Sequence, residues 1–193
     1  MNVANDTNGT NGTNGNDAIA RRAEKRRLLL SAKESFIRTA DEEHARTMKL
    51  LRAYPSDKLD LKPHARSKTA RELAWVFALE RYLGKRIWHD EMTKVAQGKP
   101  PAAPENWNEL VGGVDKAHHD FMNMVRAASD ADLQTKVHFF VGPKQMGELS
   151  RMDVLWFLLH DQIHHRGQFS IYLRMAGAKV PSIYGPSGDE PWM

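Results

Sequence analysis

Between His160 and Tyr172 the chain reads HDQIHHRGQFSIY, a stretch rich in groups that can ligate a metal or move a proton. Asp161 and His165 are four residues apart, so in a helix the carboxylate and the imidazole lie one above the other. Helical spacing puts them on one stripe with Val154, Leu158, Gln168 and Tyr172. An ionised carboxylate on such a face needs a cation or several donors. By the same reasoning Glu80 shares a stripe with Leu73, Val76, Leu83 and Ile87, His44 lies between Ala40 and Met48, and His118 between Val114 and Phe121. Carboxylate and imidazole donors together suit one divalent metal, Zn, Ni, Mn or Fe, with positions left for water or substrate. The candidate ligands are Asp161, His165, Glu80 and His44. His160 and His164 are the alternative pair if the helix is turned the other way. A reading without any cofactor stays open, in which His44 and His118 are core-edge histidines, Glu80 pairs with Arg166 or Arg81, and Asp161 bonds His165.

The elements that must position these groups follow from apolar periodicity. A first helix is expected from about Ile19 to Arg52, with Ile37, Ala40, Met48 and Leu51 on one face, ended by Tyr54-Pro55-Ser56-Asp57. A second runs from Thr69 to about Gln97, before the break of Gly98 to Pro104. A third, from about Glu105 to Ala128, carries Leu110, Val114, Phe121 and Val125, and its Gly112-Gly113 pair weakens the first turns. Residues 129–148 are turn-rich, with Val137 to Val141 as the strand-like run. The last long helix spans about Ser150 to Met175 and stops at Gly177. In it Gly167 is expected where helices approach closely, and Arg166 and Gln168 in structural contacts. A Pro/Gly loop follows, with Ile183, Tyr184 and Trp192 expected to pack on the body. Long amphipathic helices with little strand signal predict an all-α four-helix bundle over residues 18–193. Residues 1–17, an Asn/Gly/Thr repeat, read as a disordered tail; its sequons at Asn5, Asn8 and Asn11 accompany no apolar leader segment.

Composition removes several function classes. With no cysteine among 193 residues, the chain offers no disulfide, zinc-thiolate site or thiol nucleophile, so any thiol chemistry must come from a small molecule. That usage fits a cytoplasmic location. The apolar run from Val154 to Leu159 is far shorter than a membrane span, so no membrane partner is expected. The 28 basic and 24 acidic residues are spread along the chain, and the Arg21–Arg27 cluster reads as a solvated helix start, which gives no nucleic-acid partner.

His165 directly precedes Arg166-Gly167-Gln168, and Leu173-Arg174 with Gly177 closes the same helix, while Arg71-Glu72-Leu73-Ala74 to Glu80 forms a weaker segment. In these motifs the chain resembles the DinB/YfiT-like superfamily over roughly residues 30–178. The resemblance implies a DinB/YfiT-like four-helix bundle, often a homodimer, with a divalent metal held by three histidines and, in some members, transfer chemistry with low-molecular-weight thiols. A dimer also fits Trp88, Met92 and Trp156, which extend beyond a single apolar stripe. Position by position, the second histidine of the family's pair falls on His165 and the first on Asp161, while Trp75 and Val76 stand where the second helix would supply the third. The fold carries over; the family's ligand set does not. Two functions remain in view: a metal-dependent transferase or hydrolase acting with a small thiol or water, and a non-catalytic bundle that binds a small-molecule ligand or dimerises.

Overall fold

The computed structural model describes residues 31–94 and 99–193. The expected disordered tail, the first turns of the first helix and the basic cluster at Arg21–Arg27 lie outside them. The chain divides into a short N-terminal unit, residues 1–35, and a main unit, Phe36–Met193. In the first, Ser31 Oγ accepts from the Glu34 N–H and the Glu34 carboxylate from the Ser31 N–H, a capping box.

Four long helices stand out among the described residues: α1 (Ala32–Ala53), α2 (Ala70–Trp88), α3 (Trp107–Ala127) and α5 (Arg151–Met175). Between α3 and α5 lie a short helix α4 (Asp130–Gln134) and an antiparallel hairpin, β1 (Lys136–Gly142) and β2 (Gln145–Ser150). Helix starts are written in the sequence. Thr69 with Glu72 and Ser150 with Asp153 form capping boxes on α2 and α5, and the Asn106 side chain accepts from two backbone N–H groups of α3. Gly177 ends α5 at φ +80, where the left-handed backbone suits glycine. None of the helices among the described residues is long and apolar enough to cross a membrane.

The second helix ends earlier than periodicity predicts, at Trp88. Asp90 adopts φ 54, and its carboxylate accepts from the His138 N–H at 2.7 Å, tying the helix end to β1. A long-range bond thus overrides the local preference to continue. The β2 strand, QMGELS, lacks clean apolar alternation and is not visible in the sequence. Trp88, expected to project beyond the core, is buried and lies under the Arg151 guanidinium, 4.6 Å from the ring centroid. Trp192 stays exposed, whereas Tyr184 reaches back to α1.

The core is two apolar clusters with polar side chains between them. One contains Leu50, Leu51, Leu73, Phe77, Leu110, Val114, Phe169 and Leu173; the other contains Phe36, Ala40, Ile87, Phe121, Val125, Leu155 and Leu158. Along each long helix the change from one cluster to the other falls on buried polar residues: Glu43, His44 and Thr47 on α1, Glu80 and Arg81 on α2, His118 on α3, Gln162 and Arg166 on α5. This polar layer is where the chemistry-bearing residues meet.

Close approach of the helices occurs at Gly84, where a Cβ would stand 2.8 Å from Phe121 Cε2 and 3.1 Å from Leu158 Cδ1. Gly167, expected to play that role, is exposed and a Cβ there would meet nothing within 4 Å. In urea unfolding, Gly84→Ala should destabilise by about 1–3 kcal/mol despite its helix preference, while Gly167→Ala should stabilise by up to about 1 kcal/mol. A loss at Gly167 instead would mean that another surface packs there.

Candidate functional site

Glu80, Asp161 and His165 come together where α2 faces α5. His165 Nε2 lies 3.5 Å from Glu80 Oε1 and 3.7 Å from Asp161 Oδ2. One ligand atom from each of the three falls within 4.8 Å of the others. Glu80 is 6% exposed, and neither carboxylate oxygen makes a hydrogen bond of normal geometry, although the Asp161 and Gln162 side chains come close to it. Burial, with the Asp161 charge second, pushes the Glu80 carboxyl up to about 8. Buried polar groups in folded proteins are nearly always satisfied, so two such oxygens beside an imidazole need an explanation.

His165 is oriented by its other nitrogen. Nδ1 lies 3.1 Å from Gln168 Oε1, and the Gln168 amide nitrogen lies 2.8 Å from His164 Nε2, so the proton belongs on Nδ1 and the Nε2 lone pair faces the carboxylates. The Gln168 bond is local to the helix and, as expected, positions a neighbour. His160 and His164, the alternative pair, are both exposed.

Val154, Leu158 and Tyr172 are buried on α5 as read, but in the middle of the helix the buried positions are Gln162, Arg166 and Phe169, so Asp161 and His165 flank the core, half-buried. Gln162 and Arg166 are held inward by polar contacts. Arg166 lies 2.5 Å from Glu43 Oε2 and donates to the Glu43 carbonyl at 3.0 Å, with Tyr184 donating to the same carboxylate at 2.5 Å. Gln162 accepts from Arg81 at 2.5 Å and donates to the Phe77 carbonyl at 3.3 Å. Glu80 therefore pairs with neither arginine named for it in the sequence. Arg81, fully buried over the Phe121 ring, is lowered to about 10 by desolvation.

His44, the fourth candidate ligand, stands with a different group. Its Nε2 meets Asp115 Oδ1 at 2.8 Å, its ring stacks on His118 at 3.8 Å, and His119 completes a separate set of potential ligands. Desolvation lowers His44 and holds His118 down to about 2, with neighbouring His44 the second cause for His118. Burial thus disfavours the charged imidazole in both. Sequence spacing shows which face of its own helix a residue takes, but not how the helices are set against one another, and that setting separates His44 from Glu80.

A cavity of about 470 Å³ opens beside the trio, lined by Val76, Leu79, Glu80, Tyr82, Leu83, Arg86, Asp161 and His165 and by Lys99-Pro100-Pro101. Such a size suits a small organic ligand. The Trp75 indole N–H donates to the Pro101 carbonyl at 2.8 Å and holds the proline segment over α2. Arg86 and the Lys99 segment carry no motif that would have flagged them in the sequence.

The DinB family profile matches residues 29–192. The chain belongs to the DinB family. It is 26% identical over 158 residues to the uncharacterized protein YrdA of Bacillus subtilis (strain 168), an alignment covering 81% of this chain and 90% of YrdA. Its fold is similar to that of a DinB-like protein from Bacillus cereus ATCC 10987, with a TM-score of 0.66 at 23% identity over 78% of this chain and 97% of the other. A putative DinB family member from Exiguobacterium sibiricum 255-15 gives 0.58 at 18% identity, over 80% of this chain and 97% of that one. At these identities the likeness establishes the fold alone. In this DinB protein Val76 lines the cavity, and Glu80 comes one helical turn later with its carboxylate at the trio.

Proposed function

We propose that Glu80, Asp161 and His165 hold one divalent metal, Zn, Ni, Mn or Fe, and that this DinB protein is a metal-dependent transferase or hydrolase using a small thiol or water. The observation that carries it is the buried Glu80 carboxylate, neither oxygen of which makes a hydrogen bond of normal geometry. The spacing supports it: ligands about 2.1 Å from a tetrahedral ion stand about 3.4 Å apart, close to the 3.5 and 3.7 Å separations of the imidazole from the two carboxylates. The hydrogen bond on the far nitrogen of His165 is the orientation that metal-ligating histidines usually have. Two carboxylates and one imidazole leave positions for substrate or water.

A divalent ion there would supply a Lewis acid able to ionise a thiol or water near neutral pH. The chain supplies the rest. Asp161, half-exposed at the cavity edge, is placed to accept the released proton. Leu79 and Leu83 present apolar surface to the reacting groups, and apolar surroundings strengthen every charge interaction inside. Gln168 keeps His165 Nε2 turned inward. Equilibrium dialysis of chelator-treated protein against each metal tests the site. One equivalent is expected in the wild type and a loss of at least ten-fold in affinity in His165→Ala. Equal uptake by both, or none by the wild type, would move the reading to a non-catalytic bundle that binds a small molecule.

A further inference from the structure

The cavity holds more than the trio. Besides Glu80, Asp161 and His165 its lining is mostly apolar, with Leu79, Leu83, Pro100 and Pro101 among it, and includes two cations, Arg86 and Lys99. Arg86 gives one N–H to the Glu91 carbonyl at 3.1 Å. Among the described residues neither Arg86 nor Lys99 has an ion pair with a carboxylate. On α2 Arg86 comes six residues after Glu80, about 9 Å along the helix axis, with Leu83 between. The pocket therefore joins two carboxylates and an imidazole, an apolar wall and two cations, of which Arg86 is set apart from Glu80 along α2. A wholly apolar ligand would leave those cations unused, and a small inorganic anion would leave the walls uncovered.

We propose that the cavity binds an amphipathic organic anion, its aliphatic or aromatic body on Leu79, Leu83, Pro100 and Pro101 and its carboxylate-type group on Arg86 and Lys99. The opposite end of the molecule then reaches Glu80, Asp161 and His165. That last clause rests on the function proposed above, whereas the anion end stands on residues outside that trio. A guanidinium and an ammonium rimming an apolar pocket favour a carboxylate through charge-assisted hydrogen bonds, and the apolar body supplies affinity by area buried.

Octanoate and octan-1-ol share an apolar body and differ in charge, which makes them suitable probes for calorimetric titration at pH 7, in chelator and with saturating zinc. Octanoate should bind at least ten-fold more tightly than octan-1-ol in both conditions. Arg86→Gln/Lys99→Gln should erase that preference while leaving the alcohol's affinity unchanged; Arg86 is half-buried and Lys99 exposed, and a thermal melt confirms that the variant folds. Asp161→Asn should keep the preference. Equal binding of the two probes, a preference that survives the double variant, no binding of either at millimolar concentration, or a preference lost in Asp161→Asn would each overturn the proposal; the last would put the carboxylate at the trio. The two readings fail separately. An Arg86- and Lys99-dependent preference without zinc uptake retires the metal site alone, and zinc uptake without that preference retires the anion end alone.

Discussion

Replacing Arg166 by methionine is expected to destabilise the protein by about 3–5 kcal/mol, the largest effect of any single substitution considered, because it strands the Glu43 carboxylate in the interior. Both side chains are buried, Arg166 at 3% and Glu43 at 6% exposure, so little water can reach the stranded charge. The guanidinium also donates to the Glu43 carbonyl and meets the Tyr184 hydroxyl, and the loss spreads to the C-terminal loop. Glu43 keeps Arg46 at 2.8 Å, which limits the damage to the lower part of that range. Urea unfolding of Arg166→Met and of Arg166→Met/Glu43→Leu checks the cause. The double variant should recover much of the stability, since a buried pair exchanged for apolar groups is often neutral. If the single variant loses under 1 kcal/mol, the polar layer does not hold the bundle together.

The second large effect is a dependence on pH set by Glu80. Its carboxyl titrates at about 8 in the folded chain against 4.5 ordinarily, chiefly through desolvation. The folded state therefore keeps a proton that the unfolded chain gives up. Stability from this group is complete below about pH 4.5 and is lost as pH rises through about 8, at up to about 1.4 kcal/mol per unit. His44 and His118 act in the opposite sense. Their lowered values make stability rise with pH up to about 6.5, with no further change above it. In chelator, the wild type should lose stability on the order of a few kcal/mol relative to Glu80→Gln as pH goes from 5 to 8, and the variant should be the more stable at pH 8. A difference between the two that stays flat over that window would mean that Glu80 is solvated or paired.

The fold was legible in the sequence because it depends on patterns within each helix: the starts at Thr69 and Ser150, the apolar stripes, and the breaks at Pro55 and Gly98 to Pro104. The profile match and the similar structures agree with that reading. Where two distant segments decide the outcome, the sequence was silent. The Asp90 bond to His138 ties off the second helix, and the Glu43–Arg166 pair holds Arg166 inside where His165 was expected. For the site, three of the four residues singled out by spacing, Glu80, Asp161 and His165, meet, because each stands on its helix's buried or half-buried side near the polar layer. His44 had the same local pattern and joined Asp115 and His119 instead. Gln162 carried no signal in the sequence, and Arg81, named there only as a partner for Glu80, donates to Gln162 instead.

The most direct test of the metal site is a thermal melt of chelator-treated protein titrated with Zn, Ni, Mn or Fe, run beside Asp161→Asn. A metal at 100 times its dissociation constant should stabilise the wild type by about 2.7 kcal/mol, or roughly 5–10 °C. Asp161→Asn should abolish the metal-dependent part of that shift while its metal-free form melts at or above the wild-type temperature, because a carboxylate beside Glu80 has been neutralised. A wild-type melt that none of the four metals moves, together with a loss of roughly 1–3 kcal/mol in Asp161→Asn, would contradict the account and leave Asp161 and His165 as an internal hydrogen-bonded pair.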